Sequence, residues 1–161
     1  MSSIEIVLYQ PDIPQNTGTI LRMAACFDIC VHIIEPAGFV LNDRTLRRAG
    51  MDYLSLVSLI KHRSWEVFSK WRQDNQKRLL LLSTKASDTH TGFEFENGDL
   101  VMFGRESSGV PDHVHEAVDH RLIVPMRQNA RSLNLAMTAA IVSGEALRQL
   151  DAFPSIPEPE T

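Results

Sequence analysis

The sequence of 161 residues contains no long apolar run, no basic leader and little excess charge. No stretch approaches the roughly 18 uninterrupted apolar residues that a membrane-spanning helix needs, and the opening residues MSSIEIVLYQ carry no cleavage site. We therefore predict a cytoplasmic protein that does not associate with a membrane. The formal net charge of −4 argues against a protein that coats nucleic acid by bulk electrostatics, although local basic clusters can still bind phosphates.

Metal-binding patterns are also missing. The only cysteines, Cys26 and Cys30, lie four residues apart in a helix-like stretch, and no second pair completes a zinc site or a disulfide framework. We interpret them as reduced thiols in the core. His113, His115 and His120 are close in sequence, but the first two project differently from a helix and no suitably spaced carboxylate completes a site. We therefore predict no metal.

Two familiar nucleotide-binding fingerprints are absent as well. No GxGxxG follows the first apolar run, and no GxxxxGK followed by Ser or Thr occurs anywhere in the chain. An α/β enzyme that uses a nucleotide for hydride transfer needs the first fingerprint, and a P-loop NTPase needs the second. Both classes are therefore disfavoured.

What the sequence does contain is an alternation of short apolar runs with helical patterns. The runs predicted to be strands are Ile4 to Tyr9, Val31 to Ile34, Leu54 to Leu59, Leu79 to Leu82, Leu100 to Phe103 and Leu122 to Val124. Helical patterns extend from Thr17 to about Phe27, around Arg44, Arg47 and Arg48, after a capping Ser64, and from Leu133 to Leu150. The alternation predicts an α/β fold whose mainly parallel sheet is flanked by helices and binds ligands beyond the carboxyl ends of its strands.

The chain length fits one domain, which we predict to span residues 1–152. Residues 153–161 include three prolines and two glutamates, so they cannot bury enough surface to offset the entropy of ordering. We predict a flexible tail there.

Three polar loops after predicted strand ends carry the candidate chemistry. They contain Asn16-Thr17-Gly18 with Arg22, then Phe103-Gly104-Arg105-Glu106-Ser107-Ser108-Gly109, and then Pro125-Met126 leading into Arg131-Ser132-Leu133-Asn134-Leu135. Gly104 and Gly109 would let the backbone approach a flat ligand and pair with an adenine edge, while a tight turn without a ligand explains both glycines almost equally well. The loops are therefore candidates for a binding site.

Two further side chains in these loops allow more than one interpretation. Glu106 is a candidate anchor for neighbouring backbone amides, and a general base or an exposed turn carboxylate are the alternatives. Ser132 stands where the last helix is predicted to begin, so its hydroxyl is a candidate cap for the first turn and also a candidate ligand contact.

Taken together, the motifs resemble the SPOUT RNA methyltransferases, and among them the small tRNA (cytidine/uridine-34-2′-O)-methyltransferases that act at the wobble nucleotide. The resemblance covers about residues 3–150 and depends on three ordered motifs, NTGxxxR, FGxExxG and the RSLNLA segment after Pro125-Met126. It implies an α/β knot, in which the last helix threads a loop to form a deep trefoil knot, and a homodimer with RNA spanning both subunits. The sequence departs from the family pattern at Arg105, where proline is common, and at Ser107-Ser108, which replace a threonine-led pair.

The resemblance also implies the substrates and the site. S-adenosyl-L-methionine would be the co-substrate and a tRNA ribose 2′-hydroxyl the methyl acceptor. Co-substrate contacts, mostly through the backbone, are expected from Leu82, Ser83, Thr84, Gly104, Glu106, Val124, Met126, Ser132 and Leu133. A protein that keeps this fold but only binds RNA, and a methyltransferase of another tRNA or rRNA position, are the alternatives.

The catalytic residues implied by the resemblance are Arg22, Asn16 and Asn134. A guanidinium with a pKa above about 12 is a poor base, so we interpret Arg22 as a phosphate or charge-stabilising contact. The two asparagines would orient the ribose or hold the loops together. Candidate phosphate contacts are the basic clusters Arg44, Arg47 and Arg48, and Lys61, His62 and Arg63.

Overall fold

A computed structural model describes residues 3–49 and 54–160, and within these ranges seven strands form one parallel sheet. The strands are β1 (Ile4–Tyr9), β2 (Cys30–Ile34), β3 (Leu59–His62), β4 (Leu79–Leu82), β5 (Asp88–Thr89), β6 (Asp99–Phe103) and β7 (His120–Ile123). Their order across the sheet is β3-β2-β1-β6-β4-β7-β5, and all adjacent pairs are parallel. The predicted α/β fold with a parallel sheet is confirmed.

The helices of the described residues are α1 (Pro14–Phe27), α2 (Asp43–Arg48), α3 (Trp65–Asp74), α4 (Asp112–Ala117) and α5 (Leu135–Gln149). Pro14 begins α1, where its fixed φ suits the first turn and its missing N–H would have had no helical partner. Asp28 ends α1 in the left-handed conformation, with φ of 54°. The predicted cap of α3 is confirmed, because the Ser64 hydroxyl accepts a hydrogen bond from the N–H of Val67 at 3.2 Å.

The sheet has a core on each face, because alternate residues of a strand point to opposite sides. On one face Ile4, Ile6 and Leu8 of β1 pack with α1 and α5, and on the other Val7 and Tyr9 pack with aromatic residues of α3. Burial on both faces explains why the central strands are almost continuously apolar.

The predicted strand from Leu54 to Leu59 is wrong. Residues 54–56 form a 3-10 helix, and β3 begins only at Leu59, which pairs with Val31 of β2. The start of β3 is therefore set by where β2 provides a hydrogen-bonding partner. It is not set by where the sequence becomes apolar. The short strand β5 was not predicted either, because its two residues, Asp88 and Thr89, are polar and lie at the sheet edge.

The interpretation of both cysteines as core thiols is also wrong. Cys26 is exposed on α1, and Cys30 is half-buried as the first residue of β2. The two residues belong to different elements, because α1 ends at Phe27 and the chain turns at Asp28. Both are free thiols.

The last described residues, 153–160, contain no helix or strand and are exposed. Phe153 nevertheless packs edge-to-face against Phe27 with ring centroids 5.5 Å apart. Thr161 lies outside the described residues, as do residues 1–2 and 50–53 of the predicted domain, and the boundary after residue 152 stays a prediction. So does the knot. No helix in the described ranges has the length and hydropathy needed to cross a membrane.

Candidate active site

A cleft of about 530 Å³ opens beyond the carboxyl ends of β4, β6 and β7. Parallel strands bring their carboxyl ends to one edge of the sheet, so the loops that follow them converge there. The start of α1 and the start of α5 close the cleft from the side, through Ile13, Asn16, Leu135 and Thr138. The site therefore combines residues from nearly the whole length of the chain.

Every residue predicted to contact a co-substrate lines this one cleft. The set is Leu82, Ser83, Thr84, Gly104, Glu106, Val124, Met126, Ser132 and Leu133. That these residues bind the co-substrate stays a prediction. That they lie around one cleft is a property of the fold. Further lining residues that the sequence did not single out as ligand contacts include Ile13, Lys85, Val110 and Thr138.

Some backbone groups in the cleft are already committed to internal hydrogen bonds. The N–H of Ser83 donates to the carbonyl of Leu122 at 2.9 Å, and the Ser83 carbonyl accepts from the N–H of Ala86 at 3.2 Å. Its hydroxyl accepts from the N–H of Lys85 at 3.1 Å. Ser83 therefore holds its loop in shape and leaves fewer groups for a ligand than a free turn would.

A chain of side-chain hydrogen bonds links three of the predicted site residues. The Asn134 amide nitrogen donates to Asn16 Oδ1 at 3.0 Å, and the Asn16 amide nitrogen donates to Glu106 Oε1 at 3.4 Å. These residues come from the start of α5, the first turn of α1 and the loop after β6. The chain thus ties together the three motifs that were recognised separately in the sequence.

Asp12 belongs to the same group, although no motif in the sequence points to it. Its backbone N–H donates to Glu106 Oε2 at 2.9 Å, its carboxylate accepts from the Ser107 hydroxyl, and Arg105 Nη2 lies 3.6 Å from its Oδ2. Asp12 and Glu106 are 94 positions apart, so only the fold brings them together.

The pKa values of Asp12 and Glu106 are shifted in opposite directions. Hydrogen bonds from Glu106 and Ser107 lower the pKa of Asp12 below its ordinary value. Burial and the hydrogen bond to Asp12 raise the pKa of Glu106 above its ordinary value. Of the two carboxyl groups, Glu106 therefore keeps its proton to the higher pH. The hydrogen bonds that Glu106 accepts from the Asp12 N–H and from the Asn16 amide support its anchoring role.

The glycine loop after β6 closes on itself. Arg105 and Gly109 exchange two backbone hydrogen bonds of 2.9 Å, and Gly109 has a φ of +65°. A Cβ atom on Gly104 would lie only 2.6 Å from the carbonyl carbon of Gly109. The tight turn therefore requires both glycines, and both also line the cleft, so the two explanations offered by the sequence are compatible.

The predicted cap on Ser132 is wrong, because α5 begins at Leu135 and its cap is Asn134. Asn134 Oδ1 accepts hydrogen bonds from the N–H groups of Ala136 and Met137 at 2.9 and 3.3 Å. One amide group thus caps α5 with its oxygen and binds α1 with its nitrogen. Ser132 lies two residues before the cap, where it lines the cleft.

Arg22 is not among the described residues that line the cleft. It is exposed on α1, six residues after Asn16, which corresponds to about 120° around a helix of 3.6 residues per turn. Gly18 of the same motif has a packing role, since a Cβ atom there would lie 2.7 Å from the carbonyl oxygen of Ala49, at the end of α2.

The basic clusters fall at the surface with one exception. Arg44, Arg47 and Arg48 are all exposed on α2. Lys61 and Arg63 are exposed as well, whereas His62 is only 5% exposed and accepts or donates a hydrogen bond inside the protein. The suggestion that His62 contacts RNA is therefore wrong.

Comparison with known proteins identifies the family of the chain. The model of the SpoU rRNA Methylase family matches residues 3–144. The tRNA (cytidine(34)-2'-O)-methyltransferase of Beijerinckia indica subsp. indica is 52% identical over 151 residues, 94% of each chain. That of Escherichia coli K12 is 39% identical over 91% of this chain and 94% of its own.

A solved structure described as giving insights into the 2-OH methylation of C/U34 on tRNA has the same fold, with a TM-score of 0.86. It is 38% identical, and the match covers 92% of this chain and 96% of that one. The resemblance to RNA methyltransferases inferred from the three sequence motifs is confirmed. Since the family model matches most of its length, the chain belongs to the SpoU rRNA Methylase family.

Proposed function

We propose that this protein transfers a methyl group from S-adenosyl-L-methionine to the ribose 2′-hydroxyl of the wobble nucleotide of tRNA. The observation that carries the proposal is the convergence of three separate loops on one cleft, joined by the Asn134–Asn16–Glu106 hydrogen-bond chain. Relatives that are 52% and 39% identical over more than nine-tenths of the chain carry the name of this activity, which supports the choice of nucleotide.

The cleft suits a co-substrate of this size and polarity. Its volume of about 530 Å³ lies within the roughly 300–1,000 Å³ of small-molecule sites. Leu82, Val124 and Met126 give it apolar walls, and the loops around Gly104 and Ser132 add polar backbone. The co-substrate supplies a methyl group on a sulfonium centre. Apolar contacts and hydrogen bonds are sufficient to bind this co-substrate, and its chemistry needs no metal.

The side chains of the site position the acceptor. Transfer requires the ribose oxygen to approach the methyl carbon in line at roughly 3 to 3.5 Å, so orientation supplies much of the acceleration. Asn16 and Asn134 hold the first and last helices in a fixed relation beside the cleft. Glu106 anchors the Asp12 backbone, because its Oε2 accepts a hydrogen bond from the Asp12 N–H.

Arg22 acts from outside the cleft in this proposal. Arg22 is exposed on α1, so it can meet a phosphate of the bound RNA. Exposed arginines on α2 extend the cationic surface for further phosphate contacts, which fix the position of the RNA without reading its sequence.

We propose that the protein acts as a homodimer through an exposed face of α5. Met137 and Ile141 are four residues apart and therefore on one side of the helix, and they are 58% and 41% exposed. Large apolar side chains in such a row favour burial against a second copy. In sedimentation experiments we expect a dimer, and Met137→Glu should shift it to monomer, whereas Val67→Glu on α3 should not.

The test of the proposed reaction is incubation with labelled S-adenosyl-L-methionine and bulk tRNA, followed by nuclease mapping. We expect label in a ribose-methylated nucleotide at the wobble position. Label on a base, at another position, or only in ribosomal RNA would contradict the proposal. Because tRNA is found in the cytoplasm, the proposed function also implies cytoplasmic action.

The role of Arg22 is tested by Arg22→Ala in the same assay. A hydrogen bond to a charged group contributes roughly 1.5–3 kcal/mol, so loss of this phosphate contact should lower transfer at limiting tRNA by about 10- to 100-fold. Binding of S-adenosyl-L-methionine, measured by calorimetry, should stay within about twofold, because Arg22 does not line the cleft. Lys70→Ala is the control for loss of an exposed cation, and it should keep full activity.

A further inference from the structure

A second cluster of reactive side chains lies at the opposite end of the sheet. Glu5 is the second residue of β1, and Cys30, the first residue of β2, is its partner in the parallel ladder. His32, two residues along β2, points to the same face and is completely buried. One potential metal-ligand atom from each of the three residues lies within 4.8 Å of the others.

The distances in this cluster are close to those of a metal site. Zinc bonds of about 2.3 Å to sulfur and 2.0 Å to nitrogen, at a tetrahedral angle, separate the two donor atoms by about 3.5 Å. Cys30 Sγ and His32 Nε2 are 3.9 Å apart. Glu5 Oε2 hydrogen-bonds to the same Nε2 at 2.6 Å, so it would have to move outward by less than about 1 Å to become the third ligand.

The groups around these three residues are those that hold metal ligands in place. His32 Nδ1 lies 2.9 Å from Nε2 of His62. When Nε2 of His32 binds a metal, the Nδ1–H of His32 can donate a hydrogen bond to His62. Lys77 binds the other carboxylate oxygen of Glu5 at 2.7 Å and orients it. The Ser58 hydroxyl lies 3.5 Å from Cys30 Sγ and can donate to a thiolate. Each of the three ligands therefore has a neighbouring group that orients it toward the metal position.

We propose that Glu5, Cys30 and His32 bind a zinc ion. A thiolate, an imidazole and a carboxylate are the donor types that zinc accepts, and the mixture excludes the all-oxygen sites of calcium and magnesium. Cys30 is half-buried and the Glu5 side chain is 15% exposed, so the ion enters from the surface and keeps a fourth position for water. Bound there, it cross-links the amino ends of β1 and β2.

This site is separate from the cleft and does not depend on the proposed methyl transfer. The cleft lies beyond the carboxyl ends of the strands, whereas Glu5 and Cys30 lie at the amino ends. The sequence predicted no metal because its two cysteines lack a second pair and its neighbouring histidines lack a suitably spaced carboxylate. The three ligands come from two strands whose register cannot be read from spacing.

The experiment uses the full chain, reduced and stripped of metal with a chelator, and titrates it with cobalt(II) as a spectroscopic probe. We expect one equivalent to produce a thiolate-to-cobalt charge-transfer band, which one equivalent of zinc then removes. Cys30→Ser should abolish the band, while Cys26→Ser, which removes the other free thiol, should keep it. Circular dichroism confirms that each variant is folded.

Two further variants test the arrangement without removing the thiol. Glu5→Gln should keep the band but weaken zinc binding at least tenfold, because a neutral amide is a poorer ligand. His62→Leu removes the acceptor for His32 Nδ1 and should weaken zinc binding by about 10- to 100-fold. The proposal is overturned if the wild-type chain shows no band at one equivalent, if the band survives Cys30→Ser, or if neither variant weakens zinc binding.

Discussion

The two ends of the sheet differ in how they gather polar groups. At the carboxyl ends, loops and helix starts bring backbone groups and amides around a cleft of about 530 Å³. At the amino ends, Glu5, Cys30 and His32 project directly from two neighbouring strands, and the imidazole is buried. Loops can be shaped to enclose a large ligand, while strands in fixed register can place only a few atoms close together. Different ligand sizes therefore suit the two ends.

The strongest test of this contrast is Gly104→Val. The new side chain would collide with the backbone of Gly109, from which a Cβ atom would be 2.6 Å away, so the turn could not close. We expect loss of S-adenosyl-L-methionine binding in calorimetry and no detectable methyl transfer. Zinc binding at the amino ends should stay within twofold of the wild type.

The control for this variant is Gly144→Ala in α5, where a Cβ atom would meet nothing within 4 Å. It should bind the co-substrate normally, with a stability equal to that of the wild type or up to about 1 kcal/mol higher. Full activity of Gly104→Val would show that the turn does not need the close approach of its two glycines.

A smaller effect is expected from Asn134→Asp, which separates the two functions of this side chain. A carboxylate still accepts hydrogen bonds from the first turn of α5, so the cap should remain and the unfolding free energy should fall by only about 1 kcal/mol. The bond donated to Asn16 is lost. Because misplacement by about 1 Å can cost 100-fold, we expect methyl transfer to fall by about 10- to 100-fold.

Asn134→Ala is the matched comparison, since it removes the cap as well as the bond to Asn16. Its unfolding free energy, measured by urea titration, should lie about 1 kcal/mol below that of Asn134→Asp. Equal activity of Asn134→Asp and the wild type would mean that the link between α1 and α5 does not position the acceptor.

The smallest effect should come from Glu106→Gln, because the amide oxygen can still accept the anchoring hydrogen bond from the Asp12 N–H. We expect methyl transfer at neutral pH within about threefold of the wild type. A loss of 100-fold or more would instead indicate that Glu106 acts as a base. Glu106→Ala, which removes the anchor, should lose both activity and stability.

The same variant predicts a difference in the pH dependence of stability. The pKa of Glu106 is raised by burial, so its contribution to stability is full below its ordinary pKa of 4.5 and is lost as the pH rises through the higher folded value. Glutamine has no such loss. Thermal unfolding from pH 4.5 upward should therefore show the wild type losing stability relative to Glu106→Gln.

The convergence at the carboxyl ends could be predicted from sequence because topology guarantees it. Once Leu79 to Leu82, Leu100 to Phe103 and Leu122 to Val124 are recognised as parallel strands, the loops after them must meet at one edge. The boundaries of these strands were correct to within two residues, since continuous apolar runs leave little choice. The three ordered motifs then indicated which of these loops carry the polar groups of the site.

Contacts that depend on register or on distant partners could not be predicted in this way. Asp12 meets Glu106 across 94 positions, and no local pattern distinguishes it from other loop aspartates. The pairing of Glu5 with Cys30 follows from the register of β1 and β2, which neighbouring residues do not specify. The start of α5 was misplaced because Ser132 and Asn134 are both good caps, and only the bond to Asn16 favours the second.

The position of Asn134 has a consequence for how the protein is made. The cleft needs residues from Ile13 in the first loop to Thr138 in the last helix, and Asn134 joins α1 to that helix. A ribosome releases the first helix long before it has synthesised the last. A nascent chain that has not reached α5 therefore lacks the complete site, and competence to bind ligand arises only after that helix is synthesised.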